Sequence, residues 1–451
     1  MGVGLMEELG WKIVEDPAAE YCVKQESLSA EEARLLDSLV KKFKERTREG
    51  IEGGQGFSAV LKQICEEEAA LLEKSRAKKI VSLAESIVKG YGILDGLLQD
   101  PELEEISVVG LGKPVYVFHR KKGWMKTNCV ISSEEFALNA INKMARPLGR
   151  RITYQNPRIN AALPDGSRLH ASIDPINLNK FELTIRKFRQ NPFTVGDLIA
   201  NGTVNAELAA FLWMVLFGDA SLLIAGNSGS GKTTTLNALF SFIPFTERVI
   251  ITEETPEINL PHEHQVKIVA NEELGIQMKD LIKDTLRMRP DRVVIGEVRS
   301  REEVAALFDS LLSGQARGSY ATMHAGSASE ALARLQALGA GKEDLNAINL
   351  ILVQRRLLRR EKHGQRELRR VTELVELAGG KQKTLFSYSP QKDFLEKKSE
   401  SALFERITTG YGLGRKEALQ ELAARKEFLE EISGKELSFK EFNEAVQKWF
   451  Q

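Results

Sequence analysis

The chain has 451 residues, with 63 Lys and Arg residues balanced by 63 Asp and Glu residues. A formal net charge of zero removes any global electrostatic reason to bind nucleic acid or an anionic membrane. The length exceeds one ordinary hydrophobic core and predicts two or three domains, while the widely spaced Cys22, Cys65 and Cys129 argue against a disulfide framework or a structural zinc site.

The N-terminal part of the chain predicts a helical extension over residues 1–85. Apolar residues recur at helical spacing from residue 28 to 89, with a Gly-rich break at 49–57. The first residues, 1–20, are acidic and lack the layout of a signal peptide. The longest apolar stretches are about half the length of a membrane span, so we expect a cytosolic protein.

Residues 86–190 predict an α+β domain. A helix is expected over 133–149, because this segment opens with Ser and acidic residues and closes with Pro and Gly. Strand or hairpin patterns occupy 104–110 with 113–120, 158–173 and 181–188. The following residues, 191–204, read as a linker.

Residues 205–379 predict a second domain of the α/β class. Short apolar segments alternate with helical stretches, which favours a largely parallel sheet. The expected strands are 221–226, 248–252, 292–296 and 319–324. After about residue 379 the pattern turns charge-rich, so residues 380–451 are expected to form a helical C-terminal region with a packed helix over 414–432.

The sequence GNSGSGKTTTLNAL, residues 226–239, carries the pattern G-x-x-x-x-G-K-[ST] between a strand and a helix. Its glycines let backbone N–H groups point at phosphate oxygens, and the helix N-terminus favours negative charge. Lys232 can reach the β- and γ-phosphates of ATP, and Thr233 can ligate Mg²⁺. The alternative is a chance Gly-rich turn. The expected nucleotide-binding residues are Gly226, Asn227, Ser228, Gly229, Ser230, Gly231, Lys232, Thr233 and Thr234.

The segment DRVVIGEVRS, residues 291–300, has the shape of a metal-site strand with one unusual residue. Gly296 stands where many P-loop enzymes place an Asp that holds the metal, and Glu297 follows it. We expect Glu297 to act through a metal-bound water or on the attacking water. A solvated Glu at a strand end is the alternative.

Two more strands end in polar residues that suit a hydrolase. Glu253 and Glu254 follow the strand in 249–258 and could orient or deprotonate a water, although paired acids in a loop are also common. His324 ends the strand in the segment 318–335, at the ligand-binding edge of a parallel sheet, although a lone His is more often structural.

In this order, the four motifs resemble the ATPases of the type II/type IV secretion superfamily. These are the motors of type II secretion, type IV pili, conjugation-type secretion, and archaeal pili and archaella. The family's metal-site strand ends in Gly-Glu, as Gly296 and Glu297 do here, and its histidine box matches His324. Its acidic box is commonly Glu-Asp, which favours Glu253 over Glu254. Residues 286–292 and the C-terminal tail are most similar to the archaeal and tight-adherence-pilus branch.

The resemblance implies a RecA-like motor domain preceded by an α+β domain, assembled as a homo-hexamer at the inner face of the membrane on an integral-membrane platform protein. It implies that Thr233 and Glu297 serve Mg²⁺, that Glu253 polarises the water and that His324 senses the γ-phosphate. It also implies that Arg168 and Arg186 reach the nucleotide phosphates, with surface pairing to acids as the alternative. Hydrolysis would then drive domain motion. Gln315 stands where many relatives have a His, and it has no assigned role.

Two other functions fit the same motifs. A nucleic-acid translocase is disfavoured by the neutral charge and by the absence of an obvious basic groove with aromatic residues, so no nucleic-acid partner is expected. A nucleotide-gated scaffold with little turnover is disfavoured because every expected catalytic position is filled. The motifs are shared by motors that extend, retract and secrete, so the sequence does not choose among these tasks.

Overall fold

The computed structural model describes residues 11–14, 16–23, 35–36, 38–42, 76, 80, 83–84, 87–88, 90–188, 192–271, 274–361, 364–435 and 437–450. The chain forms two compact units, Met1–Arg189 (the N-terminal unit) and Gln190–Gln451 (the C-terminal unit). Every helix in the described parts is too short or too polar to cross a bilayer.

The predicted N-terminal helices are described only in part. Residues 35–36, 38–42 and the described residues from 76 to 88 are helical. Their apolar side chains are buried together, in a cluster formed by Leu36, Leu39, Val40, Ile80 and Ala84. The predicted Gly-rich turn at 49–57 lies outside the described residues.

The N-terminal unit is built on an antiparallel sheet of seven strands in the order β1-β4-β3-β2-β7-β6-β5. The strands are β1 Trp11–Ile13, β2 Leu103–Val108, β3 Pro114–His119, β4 Gly123–Ile131, β5 Arg158–Ala162, β6 Arg168–Ile173 and β7 Phe181–Arg186. Within residues 90–188 the α-helices are α1 Ile93–Gln99 and α2 Glu134–Ala145. Ser133 caps α2 by accepting the Phe136 N–H, which confirms the predicted helix start.

The C-terminal unit contains a sheet of nine strands in the order β10-β9-β11-β12-β8-β13-β14-β15-β16. The strands are β8 Leu222–Gly226, β9 Val249–Glu253, β10 Gln265–Val269, β11 Arg292–Ile295, β12 Gly318–Met323, β13 Leu350–Glu361, β14 Gly364–Ala378, β15 Lys381–Ser389 and β16 Phe394–Lys397. From β10 to β13 all neighbours are parallel, and the remaining pairs are antiparallel. The predicted α/β fold with a RecA-like P-loop domain is confirmed, and β12 lies between β8 and β11.

The helices of the C-terminal unit cover both faces of this sheet. They are α3 Val195–Ala200, α4 Ala206–Phe217, α5 Lys232–Leu239, α6 Met278–Thr285, α7 Arg301–Leu312, α8 Ala328–Ala337, α9 Ala402–Gly410, α10 Arg415–Ser433 and α11 Phe439–Gln447. Helix α4 is apolar around nearly its whole circumference, and its Trp213 is fully buried against Phe242. The Arg425 guanidinium of α10 lies 5.3 Å from the centre of the Trp213 ring, which ties the C-terminal helices to the core.

Two boundary predictions are wrong. The expected linker, 191–204, contains helix α3, whose Val195 and Leu198 are buried. Thr194 and Asp197, which look like loop residues in the sequence, form a capping box that starts this helix. The expected helical region after residue 379 begins instead with strands β15 and β16 at the edge of the sheet.

The second error has a physical cause. The first residues of β15, Lys381 to Lys383, are exposed, and lysines are common on strands near a sheet edge, where they discourage pairing with other chains. These lysines make the segment rich in charge, and a charge-rich pattern is also typical of an exposed helix. The packed helix predicted over 414–432 is confirmed as α10.

Candidate nucleotide-binding and catalytic site

The strand, loop and helix expected around the P-loop are all present. Strand β8 is buried over its whole length, and α5 begins at Lys232, directly after Gly231. Gly229 and Gly231 have φ angles of 71° and 94°, a conformation that favours glycine. A Cβ on Gly226 would lie 2.1 Å from the Gln354 carbonyl oxygen, so that position also requires glycine.

The side chain of Lys232 folds back onto the P-loop that precedes it. Its Nζ donates to the carbonyl oxygens of Gly226 at 3.2 Å and Asn227 at 3.4 Å, and it lies 3.5 Å from His324 Nδ1. Only 8% of the residue is exposed. The loop carbonyls thus hold the ammonium group at the position where phosphate oxygens would compete for it.

The hydroxyl of Thr233 contacts a carboxylate that was not predicted. Thr233 Oγ1 donates to Glu257 Oε2 at 3.2 Å. Glu257 belongs to the loop after β9, and that loop is fixed by Glu253, whose Oε1 accepts the N–H groups of Glu257 at 2.8 Å and Ile258 at 2.9 Å. Glu257 therefore reaches the expected metal-ligating hydroxyl, while Glu253 positions the loop.

Glu253 is the most buried carboxylate of this group, with 3% of the residue exposed. Its Oε2 atom has no hydrogen-bond partner among the residues that the structure describes. Burial raises the pKa of Glu253 to about 7, although the two backbone N–H donors act in the opposite direction. Its carboxyl group is therefore partly protonated near neutral pH, whereas an efficient water-orienting residue needs access to water.

Glu297 and His324 lie just after the carboxyl ends of the neighbouring strands β11 and β12, and they contact each other. His324 Nε2 lies 3.0 Å from Glu297 Oε1, and Arg299 Nη2 donates to Glu297 Oε2 at 2.7 Å. Arg299 also contacts Glu254, which places the second acid of the pair in the same cluster. Burial raises the pKa of Glu297, but Arg299, His324 and Lys232 outweigh burial and hold that pKa below its usual value.

The protonation of His324 follows from its surroundings. Burial and then the charge of Lys232 lower the pKa of His324, so the neutral imidazole is favoured. In that form, Nδ1 accepts from the Lys232 ammonium, and Nε2 lies beside Glu297 Oε1, which has no hydrogen bond within the described residues. A continuous contact chain thus connects the P-loop with the metal-site strand.

The unusual Gly296 has a steric explanation. A Cβ at this position would lie 3.1 Å from Glu253 Cγ and 3.3 Å from the Thr252 carbonyl oxygen. An Asp side chain would require Glu253 to move, and Glu253 holds the loop that carries Glu257. The position of the Glu253 side chain therefore depends on glycine at position 296.

Strand β13 supplies further contacts that the sequence analysis missed. Gln354 is 1% exposed, donates to the Ser230 carbonyl oxygen at 2.7 Å and accepts from Thr235 Oγ1 at 2.6 Å. Arg369 of β14 donates through Nε to the Gly229 carbonyl oxygen at 3.0 Å. Their strands follow the P-loop by more than a hundred residues, so only the sheet order could reveal these contacts.

Arg168 and Arg186 belong to the N-terminal unit and are direct partners across β6 and β7. Glu105 of β2 is the partner of Arg186 on its other side. The sheet thus brings the two predicted arginines together, and their role toward a nucleotide stays a prediction. Gln315 is exposed and donates through its backbone N–H to Ser313 Oγ, which suggests no role.

A protein-family model described as "Type II/IV secretion system protein" matches residues 132–400, more than half of the chain. The chain belongs to this family. The match includes the P-loop, the acidic residues after β9, Glu297 and His324, so the family resemblance of these motifs is confirmed.

Two proteins of Methanocaldococcus jannaschii are similar to this chain. Uncharacterized protein MJ0781 is 44% identical over 48% of this chain, which spans only 31% of that protein. Uncharacterized protein MJ0900 is 30% identical over 85% of this chain and 72% of its own length. Protein VirB11 of Agrobacterium fabrum is 28% identical over 56% of this chain and 83% of VirB11.

One solved structure with similarity to this chain is that of the pilus retraction motor PilT with bound ADP. It covers 73% of this chain and 92% of PilT, with 17% sequence identity and a TM-score of 0.48.

Proposed function

We propose that this protein is an ATPase motor that couples the hydrolysis of Mg-ATP to assembly or secretion of pilin-like or other substrates through a membrane platform. The observation that carries the proposal is the contact chain from Lys232 through His324 to Glu297 and Arg299. It joins the expected phosphate-binding cation to a carboxylate that is ionised at neutral pH. A scaffold that only binds nucleotide has no need for such a chain.

The residues present fit Mg-ATP. Lys232 can exchange its two carbonyl partners for phosphate oxygens, and the Thr233 hydroxyl and the carboxylates of Glu257 and Glu297 are the oxygen donors that Mg²⁺ prefers. When bound, Mg²⁺ would neutralise charge on the β- and γ-phosphates. The left-handed Gly229 and Gly231 leave the loop free of side chains that would block a phosphate.

We assign orientation of the attacking water to Glu257 in place of Glu253. Glu257 contacts the Thr233 hydroxyl. The Glu253 side chain is instead buried and accepts hydrogen bonds from two backbone N–H groups of the loop, so its role is to hold the loop. Glu257 would accept a proton of the water as the water oxygen bonds to the γ-phosphorus and the bond to ADP breaks. Glu297 would support the metal-water shell.

His324 would report the state of the γ-phosphate. When Lys232 donates to phosphate, its contact with His324 Nδ1 weakens, while Nε2 remains on Glu297. In the same proposal, Arg168 and Arg186 neutralise charge that develops on the phosphates, and their release after hydrolysis lets the two units move.

The proposal includes a homo-hexamer that engages an integral-membrane platform protein at the inner face of the membrane. Membership of the type II/IV secretion family supports this arrangement, as does similarity to VirB11. No nucleic-acid partner is proposed. The zero formal net charge supports that view.

The test is steady-state Mg²⁺-dependent ATP hydrolysis per subunit over a wide range of protein concentration. A rate that climbs with concentration and is lost in Lys232→Ala and Glu257→Gln supports an assembled ring motor. An Arg168→Ala, Arg186→Ala double variant should lose hydrolysis but retain ADP binding. ATP binding without turnover under all conditions, with and without membranes that contain the platform protein, would exclude the motor. Hydrolysis stimulated only by single-stranded DNA would favour a translocase.

A further inference from the structure

The hairpin of β13 and β14 sorts its arginines onto two faces. Side chains alternate along a strand, so Arg356 and Arg369, which are direct partners across the hairpin, share a face. The other face carries Arg359 and Arg370, and both of these bind Asp393, at 2.7 and 2.8 Å. Arg359 and Arg370 thus stabilise the edge of the sheet.

The first pair lies against the P-loop. Arg369 Nε donates to the Gly229 carbonyl oxygen at 3.0 Å, and a Cβ on Gly229 would lie 3.2 Å from Arg356 Nη1. The backbone N–H of Arg356 donates to Asn227 Oδ1 at 3.0 Å, which fixes the strand to the first turn of the loop. Both guanidinium groups are therefore held beside the loop that would wrap the phosphate chain.

Glu367 occupies both arginines in the structure. Its Oε2 lies 2.7 Å from Arg356 Nη2, and its Oε1 lies 3.7 Å from Arg369 Nη2. The side chains of the two arginines are 43% and 37% exposed, so both can reach a ligand that enters from solvent. Two cations against one carboxylate leave one net positive charge beside the loop.

We propose that Arg356 and Arg369 bind the phosphate chain of a nucleotide in the P-loop, and that Glu367 competes with the nucleotide for them. A polyphosphate offers charge-assisted hydrogen bonds to both guanidinium groups, which one carboxylate cannot satisfy equally. The hairpin therefore acts as a second phosphate-binding group in addition to Lys232. This inference rests only on the nucleotide-binding part of the proposed function.

The competition predicts opposite effects from neighbouring residues. Arg369→Ala and Arg356→Ala should each weaken binding of ADP by about tenfold, the range expected when a charge-assisted hydrogen bond is lost. Glu367→Gln should instead strengthen binding, by up to about fivefold, because an exposed ion pair is broken without loss of the arginines. A residue with a merely structural role would not produce a gain.

The experiment is isothermal titration of the full-length protein with ADP and separately with tripolyphosphate, each with Mg²⁺. The matched control is Arg355→Ala, which removes the same charge from the adjacent, exposed position on the other face of β13 and should leave both affinities unchanged. Thermal unfolding without ligand verifies folding of each variant, and Arg369→Gln replaces Arg369→Ala if the latter does not fold.

Equal weakening for ADP and tripolyphosphate, with a gain in Glu367→Gln, supports the inference. Unchanged affinities in all variants, a loss in Glu367→Gln, or an effect confined to ADP would overturn it. A wild-type protein that binds the ligands with this pattern but does not hydrolyse ATP would contradict the ATPase proposal and leave the inference standing. A wild-type protein that binds neither ligand would remove the nucleotide site itself.

Discussion

His324 Nε2 lies 3.0 Å from Glu297 Oε1, across the adjacent parallel strands β12 and β11. The pKa of His324 is lowered by burial and by Lys232, and the pKa of Glu297 is also held low. The pair therefore consists of a neutral imidazole and a carboxylate at neutral pH. A close contact between a neutral ring and a carboxylate therefore lies where the two strands end.

This state predicts a pH profile. Hydrolysis should stay constant as the pH falls toward the ordinary pKa of histidine, about 6.5, and decline only at more acidic pH, where His324 becomes protonated and repels Lys232. His324→Gln cannot titrate, so its rate should lack that acidic decline. A decline centred at the ordinary histidine pKa in the wild type would contradict the assignment.

Glu253 predicts a pH-dependent stability. Its pKa is raised to about 7 by burial, whereas in the unfolded chain it is near the ordinary value for glutamate, 4.5. Between these two values the folded state holds more protons, so the free energy of unfolding should fall as the pH rises through this window. Glu253→Gln retains an acceptor for the loop N–H groups without titrating. The difference between its thermal unfolding midpoint and that of the wild type should therefore increase, in favour of the variant, as the pH rises from 4.5 to 8.

Equal pH slopes for the two proteins would show that Glu253 does not carry this effect.

Gly296→Ala should destabilise the protein by about 1–3 kcal/mol, the usual cost of an extra group in a well-packed site. The added Cβ would press on Glu253 Cγ. In Glu253→Ala the obstructing group is absent, so Gly296→Ala should cost less in that background, giving a non-additive double-mutant cycle. Denaturant unfolding measures all four free energies, and simple additivity would refute the steric account.

Arg299 predicts a change in the acidic limb of activity. Arg299 is the largest influence that lowers the pKa of Glu297, and its charge also lowers the pKa of His324. In Arg299→Ala the pKa of His324 should therefore rise, and the acidic decline that His324 causes should begin at higher pH. The measurement is the rate of hydrolysis against pH. Arg287→Ala, which removes an exposed arginine that pairs with Asp284, should leave the profile in place. An identical profile in Arg299→Ala would remove Arg299 from the site.

Much of the fold followed from local patterns. The parallel strands of the C-terminal unit are visible in the sequence as short apolar runs, and the P-loop is visible because its spacing has a direct chemical meaning. Helix α3 and strands β15 and β16 were missed because a capping box resembles a loop and an edge strand resembles a charged helix. In both cases, long-range packing decided between similar local signals.

The site was less predictable than the fold. Glu253 is the last residue of β9, and Glu257 lies four residues later in the following loop. Only the side-chain contacts distinguish the carboxylate that holds the loop from the one that reaches Thr233. Arg356, Arg369 and Gln354 were missed because the contact depends on β13 lying next to β8, a neighbour relationship that local sequence does not contain.

The position of β12 also has an electrostatic consequence. Since β12 separates β8 from β11, the ends of those two strands are two interstrand spacings apart, about 10 Å. If the strands were adjacent, Lys232 and Glu297 could neutralise each other directly and leave no attraction for an anion. The inserted strand instead places the neutral His324 between the cation and the carboxylate, in contact with both.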